Sequence, residues 1–136
     1  MPVAAKSGHF LAKRLALRIN AGRYIELPNL QLNYSGIPTT IFSPIEYSFV
    51  GMSEEEALHT LGADSIEVYH SEATALERSL YSNNEQTFYT KVIVEKQYKT
   101  IVGIHYVGPN AGELIAGYSL AMQKGLNFDD LERSFG

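Results

Sequence analysis

Cysteine is absent from this sequence of 136 residues, which removes a large class of chemistry. Without a thiol, the chain cannot contain a disulfide framework, a thiolate metal site or a dithiol redox pair. The four histidines are scattered, and none stands four residues from another, as two zinc ligands on one helix face would. We therefore predict no metal site. His70 and His105 fall in predicted strands. We favour a residue that simply finishes a strand face over a proton carrier for His70, and a hydrogen-bonded core histidine over a ligand for His105.

Long hydrophobic runs and an excess of positive charge are also absent. No apolar run approaches the roughly 20 residues that span a bilayer. The formal net charge is −4, so nothing in the composition favours binding to nucleic acid. A chain of this length with 45% hydrophobic residues can instead bury the core of one ordinary domain. We expect neither a membrane nor a nucleic-acid partner.

The glycine-containing stretch 108–125 lacks the patterns that bind phosphate. It contains neither G-x-G-x-x-G nor the Gly-Lys-Ser/Thr of a P-loop. The strand before it belongs to a predicted antiparallel hairpin rather than to a parallel βαβ unit. Glu113 places a negative charge at the start of the predicted helix, where a phosphate would sit. We interpret Gly108 as a turn residue, and Gly112 and Gly117 as positions of close packing.

The first segment of the chain is basic and is followed by a loop. Residues 2–19 predict a helix, because Pro2 suits a first turn and apolar residues recur on one face. No acidic residue precedes Glu26, so this start is also typical of a mitochondrial presequence, which we keep as an alternative. Prolines, asparagines and glycines within 22–37 predict a loop. The apolar face of the helix would consist of Phe10, Leu11, Ala12, Leu15 and Ile19.

The remainder of the chain, 38–136, alternates short β-rich runs with helical segments. The polar stretch 97–99 joins two runs as a hairpin, and the second run is apolar on both faces, which places it in mid-sheet. The stretch 74–84 is ambiguous between an irregular strand and a turn. We predict an α+β fold, an antiparallel sheet of about four to five strands with helices packed on it, preceded by one N-terminal helix. The predicted strands are 39–42, 47–51, 65–71, 87–96 and 100–107.

Three predicted helices begin with a residue that can cap them. In two of them, a glutamate three residues later completes the spacing of a capping box. A glycine follows where each of those two helices should stop. The capping pairs are Ser53 with Glu56 and Asn110 with Glu113, the stop residues are Gly62 and Gly125, and the third cap is Asn127, before a helix at 128–135.

The helix that begins after Asn110 carries the candidate interaction surface. Gly112 and Gly117 form a small-residue patch that would let another protein surface approach closely. A plain core helix has a similar pattern, and that interpretation stays open. One side of the helix would consist of Leu114, Ile115, Tyr118, Ala121 and Met122. The interface residues that we predict are Glu113, Leu114, Gly117, Tyr118 and Met122.

Five stretches of the chain, taken in order, resemble a known flavoprotein family. Residues 1–8 and 11–15 are similar to a helix of that family, which begins Thr-Pro-Val-Ala and continues to Leu-Ala and Arg-Leu. Residues 38–47 and 50–57 are similar to the opening of its interface domain. The family is the pyridine-nucleotide-disulfide oxidoreductases, which include glutathione reductase, thioredoxin reductase and lipoamide dehydrogenase. Residues 103–113 are most similar to large-type thioredoxin reductases and thioredoxin-glutathione reductases.

The resemblance implies that the chain is a fragment without a catalytic residue of its own. Residues 1–21 would be the last helix of the FAD domain, 22–37 a linker, and 38–136 the interface domain that makes the homodimer. The family's His-Pro motif, with its acid-base histidine, would follow Gly136. FAD and NADPH would bind to the longer protein and not to this fragment. In the intact enzyme, Pro2, Val3 and Ala4 would begin the helix that points at the flavin.

The function that we predict is that of a dimerisation domain from an NADPH- and FAD-dependent, thioredoxin reductase-like disulfide oxidoreductase, inactive alone. Its expected partners are a second copy of the chain and the FAD domain of the same protein. The same domain from glutathione reductase or another disulfide reductase is the alternative, and a freestanding interaction module is the alternative of another class. We expect a cytoplasmic location, with a mitochondrial one as the alternative.

Overall fold

The computed structural model describes residues 2–21, 34, 36–74 and 87–134 of the chain. The chain divides into two compact units, Met1–Ile37 and Pro38–Gly136. Most of the predicted 22–37 loop, most of the ambiguous 74–84 stretch and the end of the predicted 128–135 helix lie outside the described residues.

In the first unit, helix α1 runs from Pro2 to Ala21. Its first turn has no acidic residue and its last turn has Arg18, so the charges follow the helix dipole. The predicted apolar face is largely exposed: Leu11, Leu15 and Ile19 are 48%, 49% and 77% exposed. Leu11, Leu15 and Ile19 therefore define an exposed apolar strip on this helix.

The second unit is built on a five-stranded sheet in which every neighbouring pair is antiparallel. The strands are β1 (Thr39–Ile41), β2 (Tyr47–Gly51), β3 (Ile66–Thr74), β4 (Thr87–Glu95) and β5 (Thr100–Val107). Their spatial order is β1-β2-β5-β4-β3, so β5 lies at the centre, as its two apolar faces predict.

Among the described residues of this unit, three helices follow or interrupt the strands. They are α2 (Glu54–Leu61), α3 (Ala111–Gln123) and α4 (Phe128–Arg133). A short 3-10 helix, Ala63–Ser65, leads into β3. The sheet and its helices confirm the predicted α+β fold class.

The core has two parts, one on each face of the sheet. On one face, Val50, Ile104 and Ile115 are at most 2% exposed, and they pack β2, β5 and α3 together. On the other face, Ala57 of α2 packs against Ile93 of β4, and both are fully buried. The central strand is therefore covered on both sides. Apolar contacts hold α3 against one face of the sheet.

The hairpin between β4 and β5 forms where the sequence predicts it. The turn occupies residues 96–99, and Lys99 adopts a left-handed conformation with φ of 53°. The Glu95 carboxylate accepts hydrogen bonds from the Gln97 and Tyr98 backbone amides at 2.9 and 3.0 Å. The side chain that ends β4 therefore fixes the start of the turn.

The last helix, α4, is tied to this turn. As predicted, Asn127 caps it, because the Asn127 side chain accepts from the Asp130 amide at 3.0 Å. The Phe128 amide donates to the Lys99 carbonyl at 2.9 Å, and the Phe128 ring stacks on Tyr69 with centroids 4.1 Å apart. The end of the described chain is thereby anchored to the hairpin.

Helix α2 begins with the capping box that the sequence predicts. The Ser53 hydroxyl accepts from the Glu56 amide at 3.1 Å, and the Glu56 carboxylate accepts from the Ser53 amide at 2.8 Å. Gly62, with φ of 87°, ends the helix, and its amide donates to the Leu58 carbonyl. These bonds satisfy backbone groups that the helix itself cannot pair.

Replacing Ser53 by alanine is expected to lower the free energy of unfolding by about 1 kcal/mol, because one helix-start amide loses its acceptor. Urea unfolding monitored by circular dichroism measures this difference. Ser71→Ala, at an exposed position of β3, is the control and should change stability by less than about 0.5 kcal/mol. Equal effects of the two substitutions would contradict the assignment of this cap.

Candidate dimerisation surface

Helix α3 has one face in the core and another in solvent. Ala111, Ile115 and Ser119 recur every four residues and are buried. Met122 is half-buried and packs against the same core cluster. Spacings of four and three residues place all these side chains on one side of the helix, toward β2 and β5.

Three large apolar side chains of α3 are exposed to solvent. Leu114 is 43% exposed, Tyr118 38% and Leu120 61%. Glu113 and Gly117 are exposed as well. We call Glu113, Leu114, Gly117 and Tyr118 the outer face of α3. Four of the five predicted interface residues therefore share one solvent-facing surface, and Met122 does not belong to it.

The predicted single apolar side of α3 is wrong in one respect. Leu114 and Ile115 were placed together, but Ile115 is fully buried and Leu114 is exposed. Successive residues point about 100° apart around a helix, so two neighbours cannot both face the sheet. The apolar residues of α3 thus form two stripes, and only the stripe of Ile115 belongs to the core.

The two glycines of α3 have different surroundings. A Cβ on Gly112 would lie 3.4 Å from the Thr40 hydroxyl oxygen, so this glycine packs against β1 as predicted. A Cβ on Gly117 would have no heavy atom within 4 Å, so the prediction of close packing at Gly117 is wrong within this chain. Gly117 therefore leaves open space on the exposed side of α3, one turn beyond Leu114, because a helix brings residues three apart together.

The start of α3 differs from the predicted capping box. Asn110 adopts a left-handed conformation, with φ of 56° and ψ of 31°, and its side chain makes no capping hydrogen bond. Capping side chains normally project from an extended residue, and this backbone turns the amide away from the helix start. The Asn110–Glu113 prediction is therefore wrong, although the helix begins where expected.

Glu46 provides the acceptor that Asn110 does not. Its carboxylate accepts from the Ala111 amide at 2.9 Å, and its backbone carbonyl accepts from the Gly108 amide at 2.9 Å. Tyr106 also donates to the Pro109 carbonyl at 3.2 Å. A carboxylate of the protein thus occupies the helix start at which a phosphate would bind.

Gly108 is required by close packing as well as by the turn. Its φ is 151°, and a Cβ there would lie 2.7 Å from the Phe88 Cβ. Such a distance is below any ordinary carbon contact, so a side chain would force β4 and the loop apart. The strand-to-helix loop is consequently held tightly on β4.

His105 is a hydrogen-bonded structural histidine, as favoured from the sequence. Its Nε2 lies 3.0 Å from the Met52 carbonyl oxygen, which can only accept, so Nε2 carries the proton. Its Nδ1 then accepts from the Tyr47 hydroxyl at 2.8 Å. Burial lowers the pKa of His105 below its ordinary value, and the nearby Lys91 lowers it further. The hydrogen bond to Met52 and the carboxylates of Glu54 and Glu56 oppose that shift.

The lowered pKa of His105 predicts a loss of stability in mild acid. The folded state binds the proton less readily than the unfolded state, whose pKa is near 6.5. The stability that neutral His105 contributes to the fold is therefore complete above pH 6.5, and it is lost as the pH falls from there toward the folded pKa. Urea unfolding at about pH 7.5 and 5.5 should show a larger decrease for the native chain than for His105→Gln. Equal decreases would contradict this role of His105.

His70 also finds a partner within the sheet. Its Nδ1 is hydrogen-bonded to the hydroxyl of Tyr89 on β4, and the two rings lie 5.7 Å apart.

Within residues 2–21, 36–74 and 87–134, no group of three His, Cys, Asp or Glu side chains is placed to share a metal ion. Across the same ranges, none of the helices has the length and hydropathy that a membrane crossing requires.

The residues predicted to approach a flavin lie in the other unit. Pro2, Val3 and Ala4 form the first turn of α1, and Val3 is 38% exposed. With no acidic residue in that turn, the helix start keeps its partial positive charge. The approach of these three residues to a flavin stays a prediction.

An antiparallel sheet with helices packed on it defines an α+β domain, and α3 of this domain has a second apolar stripe that is exposed. The chain belongs to the pyridine nucleotide-disulphide oxidoreductase family, whose dimerisation domain matches residues 37–136.

Two curated relatives cover almost the whole chain. Thioredoxin reductase SEP1 of Emiliania huxleyi is 39% identical over 133 residues, 95% of this chain. Thioredoxin reductase 2, mitochondrial, of Drosophila melanogaster is 39% identical over 136 residues, 99% of this chain. In each case the chain spans only 25% of the relative's length.

Proposed function

We propose that the chain forms the homodimer contact of a thioredoxin reductase-like disulfide oxidoreductase that uses NADPH and FAD. The observation that carries this proposal is the outer face of α3, in a domain of the dimerisation family. Two such faces related by a two-fold axis would bury Leu114 and Tyr118 against each other's Gly117. Met122 would support the helix from the core side instead of touching the partner.

The chemistry of the longer protein would reside outside these residues. Disulfide exchange requires a thiolate nucleophile, and the sequence contains no cysteine. The chain would therefore contribute shape and a contact surface, and it would be inactive alone. We extend the activity named in the two relatives to the longer protein only as part of this proposal.

Helix α1 supports a second contact, with the FAD domain of the same protein. Its apolar strip of Leu11, Leu15 and Ile19 is exposed here and would be buried by that domain. Pro2, Val3 and Ala4 would then begin a helix aimed at the flavin. The partial positive charge of such a start stabilises negative charge on a reduced ring. Pro38 would be the first residue of the dimerisation domain.

An activity assay of the purified chain tests whether the catalytic chemistry resides outside it. With NADPH, FAD and a disulfide substrate added, we expect no oxidation of NADPH and no flavin retained after gel filtration. A protein that is yellow, or that reduces the disulfide, would contradict the proposal. Intact thioredoxin reductase in the same assay is the positive control.

The alternatives differ in what surrounds the chain in its gene. A second redox pair in the C-terminal tail of the longer protein would support the thioredoxin type over glutathione reductase. A flavin-binding motif upstream or an Ile-His-Pro downstream would exclude a freestanding module. Both relatives being thioredoxin reductases favours the first interpretation.

Cytoplasm is the location that we propose, with the mitochondrion as the alternative. The basic, acid-free α1 and the word mitochondrial in one relative's name support the alternative. Fractionation of cells that express the tagged longer protein would separate the two.

A further inference from the structure

Glu46 connects the central sheet to the start of α3. It directly precedes β2, and Tyr47 of β2 pairs with Val107 of β5. This register puts Glu46 beside Gly108, which follows β5, and the Gly108 amide donates to the Glu46 carbonyl at 2.9 Å. From the same residue, the carboxylate reaches the Ala111 amide at 2.9 Å. One residue thus holds both ends of the three-residue loop 108–110.

The loop has no substitute for the Glu46 carboxylate at its end. Pro109 has no amide to donate, and Asn110 makes no side-chain cap. Ala111 is fully buried, so water cannot readily reach its amide in place of the carboxylate. A hydrogen bond to a charged acceptor is stronger than a neutral one, which suits a single anchoring point.

The anchor lies close to the proposed dimer contact. Leu114 is one helical turn beyond Ala111, and Tyr118 is two turns beyond it. Ile115 holds the middle of α3 in the core whether or not Glu46 is present, because it is fully buried among apolar side chains. Loss of the anchor would therefore free the first turn of α3 without unfolding the domain.

We infer that Glu46 is the positioning residue that fixes the first turn of α3, and with it Leu114, for dimerisation. This inference rests on the proposed function. Glu46, a loop residue just before β2, would thus set the orientation of a surface that it does not itself form. Because the contact is long-range in sequence, no local motif around Ala111 indicates it.

Three variants of the full chain test this inference. Glu46→Ala removes the acceptor, whereas Glu46→Gln keeps an oxygen without the charge. Glu55→Ala removes an exposed carboxylate from the first turn of α2 and is the matched control. Sedimentation equilibrium gives the dimer dissociation constant, and hydrogen exchange by NMR in dilute, monomeric samples gives the protection of the Ala111 amide.

Glu46→Ala should raise the dissociation constant about tenfold and abolish most protection of the Ala111 amide. Glu46→Gln should fall between Glu46→Ala and the native chain, and Glu55→Ala should match the native chain. Amides of α2 and β5 should keep their protection in every variant, which separates positioning from global destabilisation. A lowered melting temperature with an unchanged dissociation constant would overturn the inference.

The outcome for the native chain separates the inference from the proposed function. If the native chain is monomeric at every concentration, the proposed dimerisation fails. In that case, hydrogen exchange of the Ala111 amide still tests the positioning role of Glu46. Protection of this amide that survives in Glu46→Ala overturns that role. Protection that is lost in Glu46→Ala but kept in Glu55→Ala, with shifted Leu114 and Tyr118 resonances, supports it.

Discussion

Gly117→Leu is expected to weaken the homodimer about a hundredfold while making the single chain more stable. Within the chain, a Cβ at Gly117 would have no heavy atom within 4 Å, and the position is exposed, so a longer side chain can extend into solvent. Glycine is a poor helix former, and leucine should gain about 0.5–1 kcal/mol in the helix. In a two-fold interface the new side chain enters twice, and each overpacked contact costs about 1–3 kcal/mol.

Two measurements separate these opposite effects. Sedimentation equilibrium reports the dimer dissociation constant, and urea unfolding of dilute, monomeric protein reports the stability of the single chain. Gly8→Leu is the matched control, since Gly8 is also helical and a Cβ there would also meet nothing within 4 Å. It should stabilise its helix and leave the dissociation constant unchanged. A Gly117→Leu chain that dimerises normally would exclude the outer face of α3 as the contact.

Ile115→Ala and Leu114→Ala should affect different properties, although the two residues are neighbours: the first stability, the second dimerisation. Ile115 is fully buried against β2 and β5, so its truncation should cost about 3 kcal/mol of unfolding free energy. Leu114 is 43% exposed, so its truncation should cost less than about 0.5 kcal/mol of that free energy. Truncation of Leu114 should instead raise the dimer dissociation constant about tenfold.

The two alanine variants act as controls for each other. Unfolding is measured on dilute samples, so that dimer formation does not add to the apparent stability. The dissociation constant of Ile115→Ala should be measured well below its melting temperature and should change by less than that of Leu114→Ala. Similar losses of stability for both residues would show that Leu114 belongs to the core.

Local sequence signals predict most of this fold because each of them acts within a few residues. Ser53 and Glu56 lie three apart and form the predicted capping box. The hairpin needs only the apolar runs on either side of residues 97–99. The central place of β5 follows from its being apolar on both faces. Such features are decided by periodicity and turn chemistry, which a single sequence contains.

The candidate site is less predictable, because it depends on contacts between distant residues. The apolar pattern of α3 does not tell which stripe faces the sheet, so the prediction puts Leu114 and Ile115 on one side, whereas Ile115 is buried and Leu114 is exposed. Asn110 has the right residue type for a cap, but the left-handed turn after Gly108 prevents it. Glu46 is 65 residues from Ala111 in sequence, and only the pairing of β2 with β5 brings them together.

Sedimentation equilibrium of the native 136-residue chain over a wide concentration range tests the central claim most directly. We predict a reversible change from the monomer mass of 15.1 kDa to twice that mass, which Gly117→Leu shifts to much higher concentrations. A single 15.1 kDa species at every concentration up to about 1 mM, where even weak dimers form, would contradict the account.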